Sequence, residues 1–166
     1  MKNTLLMCLL FISAFAAQCS AFELASPDFK DGGQLPVMSS CDGSGTAPAL
    51  AWSGAPAGTK SFALACLDPD APKGAFAHWI VYDIPATVAA MPQGGQLSSG
   101  SRGLANDYGK QGFGPACPPS GTHHYIFTLY ALSAEKLSAD SRSSFFDAVK
   151  RVQIGTATLT GLYKRK

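Results

Sequence analysis

Three histidines, His78, His123 and His124, and two closely spaced carboxylates, Asp68 and Asp70, carry most of the chemical potential of this chain. An imidazole changes charge near neutral pH, and a neighbouring carboxylate favours its charged form. Such a pair suits anion binding, with affinity rising as pH falls toward about 6. It also permits proton transfer in acid–base catalysis. In "GPACPPSGTHHY", Gly114 to Tyr125, a cysteine and two prolines run into the paired histidines. Side chains alternate along a strand, so His123 and Tyr125 share one face and His124 takes the other. In "AFAHWIVYDI" the same rule puts Phe76, His78, Ile80, Tyr82 and Ile84 together. In "LDPDAPKG", Asp68 and Asp70 flank Pro69, and Pro72 follows two residues on. A tight turn there admits a cis Ala71-Pro72 bond. Each feature also has a plainer reading: histidines satisfied at a core rim, and aspartates capping turn N–H groups.

Other chemistries lack their residues. There is no G-x-S-x-G elbow, no phosphate-binding loop and no dinucleotide fingerprint, so no cofactor is expected. No C-x-x-C occurs, and adjacent strand histidines diverge, which argues against a metal site. A Cys117 nucleophile would be followed by two prolines with no evident oxyanion donors. No catalytic residue is therefore assigned.

The chain has 166 residues, 46% hydrophobic and 14% charged, with a formal net charge of +2. That describes one globular domain. Basic residues are scattered except for Lys164, Arg165 and Lys166 at the end. A short terminal cluster reads as a solvated tail, so no nucleic-acid partner is expected.

The first 21 residues read as a cleavable export signal. Lys2 supplies the positive start and "LLMCLLFISAFAA" the apolar stretch. Cleavage is expected after Ala21, with Ala16 as the competing site, leaving residues 22–166 as one domain. Gln18, Cys19 and Ser20 end the apolar run too early for a stable membrane span. Gln18 also disfavours lipidation at Cys19. The expected location is periplasmic or secreted. The mature chain then keeps Cys41, Cys66 and Cys117 in an oxidising compartment. Cys66 lies in the apolar "SFALACL"; Cys41 and Cys117 sit in Gly- and Pro-rich sequence and are the better disulfide candidates.

The elements that must position these groups are mostly strands. "SFALACL" (61–67), "AFAHWIVYDI" (75–84), "HHYIFTLYAL" (123–132) and "IGTATLTGLY" (154–163) are β-type runs between Gly-, Pro- and Ser-rich loops. "SSFFDAVKRVQ" is the helix candidate, capped by Ser143 or Ser144. A connection of roughly thirty residues precedes "THHY", and loops that long are usually functional or packed excursions.

Taken in order, "DPDAP", "HWIVYDIP" and "GFGPACPPSGTHHYIFTLYAL" resemble the phosphatidylethanolamine-binding protein (PEBP) family, in its bacterial YbhB/YbcL or Raf-kinase-inhibitor-like branch. "SPDFKDGGQLP", "CDG", "PALAWSGAPAGTKSFAL" and "NDYG" extend the resemblance over nearly all of the mature chain. It implies a mainly β fold, a large antiparallel sheet packed with a smaller one and flanked by short helices. It also implies a pocket for a small anion or lipid headgroup, built from Asp68, Asp70, Pro72, His78, Pro118, Pro119, His123 and Tyr125. His78, His123 and Tyr125 would donate to the anion, the aspartates would orient or charge the imidazoles, and the prolines would form rigid walls. Tyr163 would approach that pocket as a C-terminal tyrosine does in some relatives. Two features depart from the family pattern: "HHY" stands where members read "HRY", and "GPACPP" where a glycine pair is commoner. The resemblance supports a ligand-binding protein first. A regulatory inhibitor docking on an exported or host protein is the alternative, and a hydrolase using His–Asp chemistry comes third.

Overall fold

A computed structural model describes residues 21–165. The proposed leader, its Ala16 cleavage alternative and Cys19 lie outside the described residues. Six strands form the large sheet, in the order β2 (Gly33–Gln34), β9 (Gln153–Lys164), β8 (Thr122–Leu132), β4 (Ser61–Asp68), β5 (Phe76–Pro85) and β7 (Arg102–Gly103). All neighbours are antiparallel except β2 and β9. A smaller antiparallel sheet joins β1 (Glu23–Ala25), β3 (Leu50–Ser53) and β6 (Ala90–Met91). The fold is thus mainly β with two sheets, as the sequence indicates. Among the described helical residues there is one α-helix, α1 (Arg142–Val152), besides a 3-10 turn at Val37–Ser39.

The large sheet is buried on both faces, and β4 shows how. Phe62, Leu64 and Cys66 face the small sheet, packing in a core with Leu24, Leu50, Trp52, Phe127 and Leu129. Ala63 and Ala65 face the other way, where small side chains leave room for Phe145 and Val149 of α1. Burial of both faces explains why the strand reads as a continuous apolar run. The helix starts one turn earlier than its apolar stripe suggests. Ser141 is the N-cap, and Ser144 sits at N3, where it completes a reciprocal capping box.

Strand β5 breaks the expected alternation. Cys66 pairs with Trp79 but Leu67 pairs with Ala77, so His78 is an extra residue bulged out of the ladder. A second irregularity follows, where Phe62 pairs with Ile84 but Leu64 with Val81. Trp79, Val81 and Ile84 consequently join the inter-sheet core, while Ile80 and Tyr82 turn to the helix side. The expectation of one face from Phe76 to Ile84 is therefore corrected: each bulge shifts the pleat by one residue. Asp83, at the second irregularity, has φ of 59°. It is held there by Leu137 N–H and Arg102, each donating at 2.8 Å.

Candidate functional site

The carboxyl end of β4, the bulge in β5 and the start of β8 meet at one end of the large sheet. There Asp68, His78, His123 and Tyr125 line a cavity of about 210 Å³. Pro72 and Pro119 form part of its rim, as do Ala71, Phe76, Tyr108 and Cys117. The sequence reading singled out neither Phe76 nor Tyr108 as a site residue. Tyr108 belongs to "NDYG", so the motif was visible but the direction of its side chain was not.

Asp68 combines the two roles that compete in a sequence reading. Its Oδ1 accepts from Asp70 N–H at 2.9 Å, capping the turn, while Oδ2 accepts from His123 Nδ1 at 2.7 Å. Both side chains of this ion pair are buried. Asp70 does not line the cavity. Its Oδ2 instead accepts from both N–H and Nδ1 of His124, at 2.8 and 2.7 Å, outside the pocket. The His124 contacts hold the Asp70 carboxyl below its ordinary range. The turn is therefore fastened to β8 by two adjacent His–Asp pairs, one inside and one outside. Every described peptide bond is trans, so the Ala71-Pro72 bond is trans, and Gly74 N–H closes the turn on Ala71 O at 3.0 Å.

His78 is fixed from the loop that follows β7. Its Nδ1 lies 2.9 Å from Gly114 O, and a carbonyl only accepts, so Nδ1 carries the proton. Gly114 N–H returns a bond to His78 O at 2.7 Å. Asp107 clamps the same loop: its N–H donates to Ala77 O and its Oδ2 accepts from Ala77 N–H. These bonds satisfy backbone groups that the bulge takes out of the ladder. Gly114 is needed for close approach, since a Cβ there would lie 2.6 Å from the Tyr108 ring. Burial lowers the His78 pKa from its ordinary value, with the Gly114 hydrogen bond and the Asp68 and Asp107 charges opposing.

The rings around the cavity pack against one another, His78 on Tyr125 and Phe76 on Tyr108 edge to face and His78 on Phe76 tilted. His78 lies 5.0 Å from Tyr125 and 4.9 Å from Phe76, and Phe76 lies 4.7 Å from Tyr108. The Tyr125 side chain is wholly buried, yet its hydroxyl has no hydrogen-bond partner among the described residues. Burial raises its pKa strongly, helped by the Asp68 charge and opposed by the nearby Cys117 backbone, so it stays a neutral donor.

The remaining candidates fall nearby. Pro118 is buried and does not line the cavity, whereas Pro119 is exposed and does. Cys41 and Cys117 are bonded, with Cα atoms 5.3 Å apart across 76 residues of sequence. Cys66 is free and buried. Tyr163 pairs with His123 in the β8–β9 register but does not line the cavity; its hydroxyl donates to Asp42 at 2.9 Å, and it lines another cleft.

A two-sheet β domain with a small Asp–His cavity at one sheet end defines the class. The family model described as phosphatidylethanolamine-binding protein matches residues 25–164, and the chain belongs to that family. It is 41% identical to the UPF0098 protein YbcL of Escherichia coli over the full length of both. The crystal structure of that relative, titled a new member of the mammalian PEBP family, superposes with a TM-score of 0.83 at 40% identity, covering 89% of this chain and all of the other. A Chlamydia trachomatis structure titled a putative PEBP homolog gives a TM-score of 0.82 at 34% identity, over 88% and 99% of the two chains. A Mycobacterium tuberculosis relative named putative lipoprotein LppC is 47% identical over 70% of this chain and 58% of its own length.

Proposed function

We propose that the protein is an exported PEBP-family member that binds a small oxyanion, such as a lipid-headgroup phosphate or a phosphometabolite, in the Asp68/His78/His123 cavity. The observation that carries this reading is the convergence of the buried Asp68–His123 pair, His78 and Tyr125 on one cavity, where the buried Tyr125 hydroxyl makes no well-formed hydrogen bond among the described residues. An unsatisfied buried hydroxyl costs stability, and a site that receives a ligand offsets that cost on binding. His123 Nδ1 is committed to Asp68, so its Nε2 is the ring nitrogen left for a ligand, and it donates to an anion when the ring carries both protons. The surrounding prolines and aromatic rings are rigid, which keeps the ordering cost of binding low. Export is supported by the apolar N-terminal stretch and by the lipoprotein name of one relative.

Calorimetric titration at pH 6, where both carry a substantial singly charged fraction, with inorganic phosphate and with phosphoethanolamine tests the binding reading. Saturable binding is expected in the wild type and a loss of at least tenfold in His123→Ala. Equal affinity in the variant would remove the assignment. Export is tested by intact-mass measurement of the protein from its native host, where a chain beginning at Phe22 is expected.

A further inference from the structure

We propose that the cavity selects a singly charged oxyanion, a carboxylate or phosphodiester, over a doubly charged phosphomonoester. The inference rests on reading the cavity as an oxyanion site and concerns the charge of what enters it. Among the described residues, neither lysine nor arginine lines the cavity, whereas the carboxylate of Asp68 does. Lys110 lines the neighbouring cavity across Tyr108. Arg142 is engaged by Asp107 at 3.0 Å and Arg165 by Asp42 at 3.2 Å.

The groups facing a ligand supply little positive charge. From β8, His123 meets Asp68 of β4 in a buried pair whose charges cancel when both are ionised. From β5, His78 is kept neutral by burial, and its Nδ1 proton is spent on Gly114 O. Its Nε2 therefore presents a lone pair, which supplies no positive charge and adds to the repulsion felt by each further ionised ligand oxygen. Tyr125 of β8 and Tyr108 of the loop contribute neutral hydroxyls, and the Cys66 thiol beneath is kept protonated by burial. Asp107, bonded to the Ala77 N–H next to His78, adds a second nearby carboxylate. One negative charge is accommodated by oriented donors. A second would meet Asp68 across a cavity with apolar walls, where screening is weak.

Methyl phosphate and dimethyl phosphate separate the two cases. Dimethyl phosphate is singly charged throughout, whereas a phosphomonoester, with a second pKa of about 6, is roughly 1% monoanion at pH 8 and half monoanion at pH 6. At pH 8 dimethyl phosphate is expected to bind at least tenfold tighter by calorimetry. On lowering the pH to 6, methyl phosphate should gain on dimethyl phosphate by up to about fifty-fold, following its own protonation. Acetate run in parallel distinguishes a carboxylate ligand from a phosphodiester. Methyl phosphate binding as tightly as dimethyl phosphate at pH 8 would overturn the charge selection and leave the oxyanion site standing. No binding of any of these anions at either pH would overturn both.

Discussion

Replacing Tyr125 with phenylalanine removes one oxygen and leaves the ring, which packs edge to face on His78, in place. In the free protein that oxygen is buried without a well-formed hydrogen bond among the described residues. An unsatisfied buried hydroxyl costs about 1–3 kcal/mol. Removing it should therefore stabilise the ligand-free protein by about 1 kcal/mol, taking the low end because the Cys117 backbone lies nearby. For a domain of this size that is an increase in Tm of roughly 3–4 °C. Binding should change in the opposite direction. A hydrogen bond to a charged group is worth about 1.5–3 kcal/mol, so affinity for phosphate should fall by roughly 10- to 100-fold. Thermal unfolding of ligand-free protein and calorimetric titration give the two numbers. A variant with a lower Tm and unchanged affinity would mean that the hydroxyl is structural, and the reasoning about the cavity would fail.

Three further outcomes follow from the same structure. Because burial lowers the His78 pKa, the unfolded chain binds more protons than the folded one below about pH 6.5, so stability should be lost as pH falls through that value. Chemical denaturation at pH 5 and pH 7.5 should show a smaller pH effect in His78→Gln; an identical effect would contradict it. Reducing the Cys41–Cys117 bond frees a 76-residue span of chain and should cost about 4 kcal/mol by loop entropy, or a fall in Tm on the order of 10 °C, which a dithiothreitol titration of thermal unfolding measures. An unchanged Tm on full reduction would refute this. Asp83→Ala leaves Leu137 N–H without its acceptor and puts alanine at positive φ, so urea denaturation should show about 2 kcal/mol more loss than for Asp83→Asn. Equal losses would show that neither bond nor conformation matters.

The long strands were legible because their length and apolar content exceed any alternative. On β8, strict alternation puts His123, Tyr125, Phe127 and Leu129 on one face, and the structure has that arrangement because the β8–β4 pairing runs without interruption. Strand β5 was legible as a strand but not in its facing. A bulge leaves no signature in side-chain type, and "AFAHWIVYDI" is apolar on both faces. The small sheet was largely invisible, since β1, β3 and β6 have only three, four and two residues and make sense only as a layer over Trp52 and Leu50. The helix was placed correctly while its cap was not, because three serines between 139 and 145 make nearly any of them plausible. Only the backbone distinguishes Ser141.

At the cavity, the aspartates illustrate the limit of spacing arguments. Asp68 and Asp70 are alternate residues around a proline, and nothing in their types says that one faces in and the other out. The pairing of β4 with β8 decides it. Asp68 meets His123, and Asp70, one turn further, meets His124. The family's arginine at the position of His124 would meet the same carboxylate from outside the cavity. Tyr108 could not have been assigned from sequence, because a ring carried on a loop is aimed by Asn106, which accepts from the N–H groups of Tyr108 and Lys110.

A crystal structure of the protein soaked with phosphate or dimethyl phosphate tests the central claim most directly. An anion in the cavity is expected, with an oxygen at about 2.5–3.2 Å from the Tyr125 hydroxyl and from a ring nitrogen of His123. Anion density elsewhere on the surface, with Tyr125 still unpartnered or bonded only to water, would contradict the account.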